Sequence, residues 1–129
     1  AHAIDIFPTI AAAAGLKAPE NLQGINLLDA EARRERRPVF GVTHSIQDMT
    51  PGDPDSTLQY LWCIEGNWKL LVRHDGKDTT RYKNLHIWDT APVRLYKLKT
   101  DPHEKNDVAE ANPHIVKKLS KKIEAWHLK

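Results

Sequence analysis

Leu58-Gln59-Tyr60-Leu61-Trp62-Cys63-Ile64-Glu65-Gly66-Asn67-Trp68-Lys69-Leu70-Leu71-Val72-Arg73 decides the fold. Two runs rich in aromatic and β-branched residues, 58–64 and 68–73, flank Gly66-Asn67, a pair suited to a tight turn because glycine accepts positive φ without a steric penalty. The stretch therefore predicts a β-hairpin over about 58–73. Working outward, Val39-Phe40-Gly41-Val42-Thr43 is a further buried-strand run. Downstream, Val93-Arg94-Leu95-Tyr96-Lys97-Leu98 alternates, with Val93, Leu95 and Lys97 on one side and Arg94, Tyr96 and Leu98 on the other. Between the hairpin and this run, residues 74–92 read as a polar loop carrying Tyr82 and Trp88.

Helical signals lie at both ends. Asp5-Ile6-Phe7-Pro8-Thr9-Ile10 begins with a residue suited to cap a helix and places Pro8 in the first turn, where its missing N–H costs little. Ile6, Phe7, Ile10 and Ala14 then share a face, and Gly15 is a left-handed stop. This helix is apolar nearly all round, which predicts cover on both sides, including cover from outside the 129 residues. Residues 16–38 are irregular, with turns at Pro19, Asn21 and Gly24. Glu31 to Arg37 is a run of mixed charge; its four arginines could hold a polyanion, but the interleaved Glu31 and Glu35 favour a solvated face. Asp101-Pro102-His103-Glu104 reads as a helix start, repeated at Asn112-Pro113. From there Ile115, Val116, Leu119, Ile123 and Trp126 recur at three- and four-residue spacings, with Lys117, Lys118, Lys121 and Lys122 on the other face. The predicted architecture is α+β: about four antiparallel strands, a C-terminal amphipathic helix packed on one face, and an N-terminal helix.

Composition narrows the function classes. The chain has 129 residues, 40% hydrophobic and 28% charged, as expected of a globular domain rather than a disordered one. Nineteen Lys and Arg against 17 Asp and Glu leave a formal charge of +2, too even to make nucleic acid the default partner, even with Arg33–Arg37 and Lys117–Lys122. The longest uncharged apolar run, Ile6 to Leu16, is interrupted by Pro8 and Gly15 and is shorter than the roughly 20 residues a membrane helix needs. It also lacks the basic leader of a signal peptide.

The chemical inventory is thin. Cys63 is the one cysteine and lies within the most apolar strand, which favours an inert thiol. Ser45, Ser56 and Ser120 stand in no nucleophile elbow. The seven histidines have no spacing suited to a metal on one helix or strand face, and neither a glycine-rich phosphate loop nor an acidic calcium loop is present. His44 stands apart, because it ends one strand and opens the long loop 45–56. Loops at strand ends collect binding residues. His44, Gln47 and Asp48 are therefore the candidate substrate-binding residues, with no catalytic and no metal-binding candidate.

The order of motifs carries a resemblance. Asp5-Ile6-Phe7-Pro8-Thr9-Ile10, Ala14-Gly15 and Leu22-Gln23-Gly24-Ile25-Asn26-Leu27-Leu28 are followed by Arg37-Pro38-Val39-Phe40, Gly66-Asn67-Trp68-Lys69-Leu70-Leu71 and Leu95-Tyr96-Lys97-Leu98-Lys99-Thr100-Asp101-Pro102-His103-Glu104-Lys105-Asn106-Asp107-Val108-Ala109. In this order they resemble the closing part of type I sulfatases of the alkaline-phosphatase superfamily, the arylsulfatase and heparan N-sulfatase-like enzymes, over nearly the whole chain. Lys97 departs from a usual acidic residue, Asp107 from Asn and Val108 from Leu.

The resemblance implies a division at 37/38: residues 1–37 as the last helix and connecting loop of a sulfatase catalytic domain, and 38–129 as the C-terminal subdomain. A parent of this kind hydrolyses sulfate esters or sulfamates of a sulfated carbohydrate, using calcium and a formylglycine made from Cys or Ser in a C/S-x-P-x-R motif. Cys63 is followed by Ile64-Glu65-Gly66, so no catalytic residue or cofactor is carried over to this chain. The implied role is stability and part of the substrate cleft, reached by His44 and its loop. The implied partner is the missing N-terminal catalytic domain, with oligomerisation through the exposed N-terminal helix as a further expectation and neither nucleic acid nor membrane as a partner. The residues give no compartment; the resemblance implies an exported parent, periplasmic or secreted. The alternative reading is a free-standing module that binds an acidic glycan or a protein partner.

Overall fold

The computed structural model describes residues 1–44, 51–74 and 91–127. The chain divides into two compact units, Ala1–Arg37 and Pro38–Lys129.

In the first unit a short 3₁₀ turn, Ala3–Asp5, leads into α1, Ile6–Ala13. Gly15 adopts φ 71°, and Leu16 N–H donates to the Ala11 carbonyl while Gly15 N–H donates to that of Ala12. This paired closure satisfies carbonyls that the helix end would leave open. A second helix, α2, Ala30–Arg34, is capped by Asp29, whose carboxylate accepts from the Glu31 and Ala32 amides.

Asp5 corrects its expected role. It makes no cap to α1. Its carboxylate is fully buried and accepts from His2 N–H at 2.7 Å, Ile25 N–H at 3.1 Å and Arg36 Nη1 at 2.7 Å. Burial alone would push the Asp5 carboxyl up; the Arg36 guanidinium and the two amides outweigh it and hold the group below the usual carboxylate range. Thr9 adds a second tie, with Oγ1 donating to the Asp5 carbonyl at 2.6 Å and accepting from Leu27 N–H at 3.0 Å. Gly24 lies so close to Ile4 that a Cβ would sit 1.9 Å from its carbonyl oxygen. The residues shared by the first two motifs, Asp5, Thr9 and Gly24, thus join α1 to the segment 22–28. In the charged run, Arg33 donates to the Leu27 carbonyl and Arg36 pairs with Asp5, so two of its arginines serve this unit's own structure.

The second unit is an antiparallel meander with strand order β1-β2-β3-β4. The strands are β1, Val39–His44, β2, Leu58–Glu65, β3, Trp68–Arg73, and β4, Val93–Lys97. Gly66 takes φ 58° in the β2–β3 turn, as the Gly66-Asn67 pair predicts. The helix α3, Pro113–His127, lies against β2 and β3 and completes the α+β architecture. Leu61, Cys63, Leu70, Leu95, Leu119 and Ile123 form the buried centre. Trp126 stacks on Phe40 of β1 with centroids 5.3 Å apart. Each buried aliphatic side chain contributes roughly 1.5–3 kcal/mol. Surface ion pairs contribute about 0–1 kcal/mol each, so the apolar layer between sheet and helix dominates stability.

The helix start expected at Asp101 does not form. The Asp101 carboxylate accepts from Lys105 N–H at 3.0 Å and Asn106 N–H at 2.8 Å, closing a loop instead of a helical turn. Glu104 takes φ 54°, which a right-handed helix cannot accommodate. Both its carboxylate oxygens receive Lys69 Nζ at 2.7 Å, tying the loop to β3. Asp107 Oδ1 then accepts from Leu95 N–H at 3.0 Å and Ala109 N–H at 2.9 Å, fixing the loop to β4.

Candidate functional site

One end of the sheet gathers the polar residues that the cores of the units do not use. His44 closes β1, Thr57 precedes β2, and His74 follows β3. The pairing of β1 with β2 is irregular here: Thr43 faces Tyr60, but His44 faces Leu58, which leaves Gln59 as an extra residue on β2. A bulge bends a strand and re-aims nearby side chains. Gln59 keeps its carbonyl occupied by His74 N–H at 2.9 Å, while its side-chain Oε1 is buried without a hydrogen-bond partner among the described residues.

His44 itself is exposed, and its Nδ1 lies 3.3 Å from the hydroxyl of Thr57, which is buried. His74 and His127 meet edge to face with centroids 6.1 Å apart, and His127 adjoins Trp126. Of the three substrate-binding candidates, the structure places His44 at the sheet end. Gln47 and Asp48 lie outside the described residues, as do Tyr82 and Trp88.

Cys63 and Glu65 are committed elsewhere. Cys63 is wholly buried, and burial together with the nearby Glu65 charge pushes its thiol up to about 11. A group so rarely ionised at neutral pH is a poor nucleophile. Glu65 meets Lys118 at 2.8 Å and also Lys122, which ties the β2–β3 turn to α3. Burial would raise the Glu65 carboxyl, but the two ammonium groups more than offset it and hold it low. Lys118 and Lys122 are therefore engaged within the unit, not simply solvated. Among the described residues no group of three or more His, Cys, Asp or Glu could hold a metal ion. These residues do not fit a calcium site, and buried Cys63, outside a C-x-P-x-R sequence, does not fit a formylglycine precursor. No helix among the described residues is long and apolar enough to cross a membrane.

The long-range partners were invisible to local reading. Thr57 carried no signal in the sequence, because its link to His44 depends on the register shift opposite Gln59. Glu65, the last residue of β2, gave no local sign that it would accept from two lysines more than fifty positions downstream.

Comparison with known proteins gives these ties a context. No family model matches the chain. It is nonetheless similar to sulfatases. It is 26% identical to arylsulfatase K of Xenopus laevis over 125 residues, which is 93% of this chain and 21% of that protein. Human arylsulfatase K is 27% identical over 122 residues, 93% of this chain and 20% of that one. The N-acetylgalactosamine-6-O-sulfatase of Bacteroides thetaiotaomicron is 24% identical over 123 residues, 95% of this chain and 22% of that protein. The chain thus spans about a fifth of the length of these curated relatives. Among solved structures, Ps i-CgsB superposes with a TM-score of 0.60 at 23% identity, covering 95% of this chain and 23% of that one. A second, BT33336S-sulf, from work on glycosaminoglycan metabolism by Bacteroides thetaiotaomicron, gives 0.58 at 23% identity over 97% and 24% of the two chains. These structural likenesses support a sulfatase-related fold.

Proposed function

We propose that this chain is the C-terminal portion of a sulfatase whose catalytic centre lies upstream in a longer polypeptide, with residues 1–37 belonging to the catalytic domain and 38–129 forming the C-terminal subdomain. The observation that carries this reading is the work done by the shared motifs. Asp5, Thr9, Gly24 and Asp101 close backbone contacts. The division between the two compact units at 37/38 and the similarity over 93% of the chain to arylsulfatase K support it.

The parent hydrolyses sulfate esters or sulfamates of a sulfated carbohydrate. Calcium and formylglycine belong to the upstream part, and the described residues of this chain offer no group of three or more His, Cys, Asp or Glu for a metal. The contribution of this chain is stability and one wall of the substrate cleft, where His44, Gln47 and Asp48 meet the sugar. Discrimination between hydroxyl-rich, anionic substrates rests on polar groups that an incorrect ligand leaves unpaired, and an imidazole at a strand end suits that task. The exposed apolar side of α1 fits a surface covered by the catalytic domain. An exported parent, periplasmic or secreted, is part of the same reading.

The test is the longer reading frame. It should encode a C/S-x-P-x-R segment upstream, and its product should release sulfate from a sulfated hexosamine. His44→Ala in that product should raise KM more than it lowers thermal stability. A reading frame without the upstream segment removes the proposal and leaves a free-standing glycan- or protein-binding module.

A further inference from the structure

We propose that Thr57 is a positioning residue that holds the His44 imidazole with its proton on Nε2, so that the exposed edge of the ring is a hydrogen-bond donor. The inference rests on the reading that His44 meets substrate and adds the group that sets its chemistry.

Thr57 is 6% exposed, and among the described residues its hydroxyl has one hydrogen-bond partner, His44 Nδ1 at 3.3 Å. A buried hydroxyl left without an acceptor costs about 1–3 kcal/mol. Donation of its proton to Nδ1 avoids that cost, and in a neutral imidazole an accepting Nδ1 requires the proton on Nε2. The register shift at Thr43/His44 supplies the reach: it sets His44 opposite Leu58, directly after Thr57, and not opposite Gln59. His44 is exposed, so a ring held at Nδ1 from the buried side has Nε2 as its remaining polar atom. A donor in that position suits an oxygen-rich anionic ligand, whose sulfate and hydroxyl oxygens accept hydrogen bonds. The opposite tautomer would present a lone pair and repel the sulfate.

The experiment is side-chain ¹⁵N NMR of the histidines in the 129-residue chain at a pH where His44 is neutral. Wild type should give a protonated Nε2 and an accepting Nδ1 for His44. Thr57→Val, of nearly the same shape, should move the two ring nitrogens toward the mixed tautomer of a free imidazole, and Thr57→Ser should restore them. A wild-type ring protonated on Nδ1, or identical His44 ring shifts in wild type and Thr57→Val, overturns the assignment. If the valine variant does not fold, the comparison of wild type with Thr57→Ser decides: the serine spectrum should match wild type, and a free-imidazole spectrum in wild type overturns the assignment.

These readouts need no substrate, so they separate this inference from the functional reading. In the longer enzyme, Thr57→Val should raise KM roughly 3–10-fold, the scale of one modest hydrogen bond, with kcat little changed. A His44→Ala variant with unaltered KM would sink the substrate contact and leave the Thr57 tie standing.

Discussion

Asp5 departs from the role its local sequence suggests, whereas Cys63 keeps it. Asp5 sits at a helix start, and local reading makes it a cap. Its partners Ile25 and Arg36 lie 20 and 31 positions away, beyond any local pattern. Asp5→Asn removes the charge that Arg36 and two amides surround; Arg36 is partly exposed, so the loss is on the scale of a hydrogen bond to a charged group, about 1.5–3 kcal/mol. Hydrogen exchange should report it first at the Ile25 amide, with little change in β2 or β3. Gly24→Ala places a methyl against the Ile4 carbonyl and should loosen the same unit by about 1–3 kcal/mol. Cys63, in contrast, was legible as a core residue, because its neighbours Trp62 and Ile64 continue an apolar strand. A thiol raised to about 11 and wholly buried should resist alkylation in the native chain at pH 8 and react promptly in guanidinium chloride. Prompt labelling of the folded chain would contradict the packing of β2.

At the scale of elements, strand periodicity and the Gly66-Asn67 turn were enough to predict the sheet. The helix at Asp101 was misread because a capping aspartate and a following proline start loops as well as helices. The deciding feature, Glu104 at φ 54°, is held by Lys69 on another element. The first helix was read correctly in extent, but periodicity does not say which side faces inward. Glu65 offers an element-scale measurement. Its depressed carboxyl contributes stability that is complete above the ordinary carboxylate range, about pH 4, and is lost as pH falls through the lower folded-state value. Asp5 follows the same sign. The urea midpoint of the second unit should therefore hold steady from neutral pH to about 4 and then decline. Glu65→Gln should lower the neutral midpoint slightly and flatten the acid limb. A Glu65→Gln curve parallel to wild type at every pH would show that Lys118 and Lys122 contribute no net stabilisation through this carboxylate.

For the whole molecule, the unspent feature is apolar surface. Ile6 is 58% exposed, Phe7 58% and Ile10 62%, while Pro8 and Ala11 are buried. The side expected to need cover is thus the open one. Phe7→Ser with Ile10→Ser should reduce binding of a hydrophobic dye to the 129-residue chain without lowering the stability of the second unit. The chemistry of the proposed parent has no counterpart among the sequence motifs, since composition records which residues a chain carries and cannot say where a neighbouring domain would supply others. The Asp5–Arg36 pair has one more consequence, a mechanical one. It joins residues near the two ends of the first unit, so tension applied along the chain across residues 1–37 loads this ion pair before it reaches α1. Under pulling, the unit should yield in one step at a force set by that pair, and acid that protonates Asp5 should lower that force.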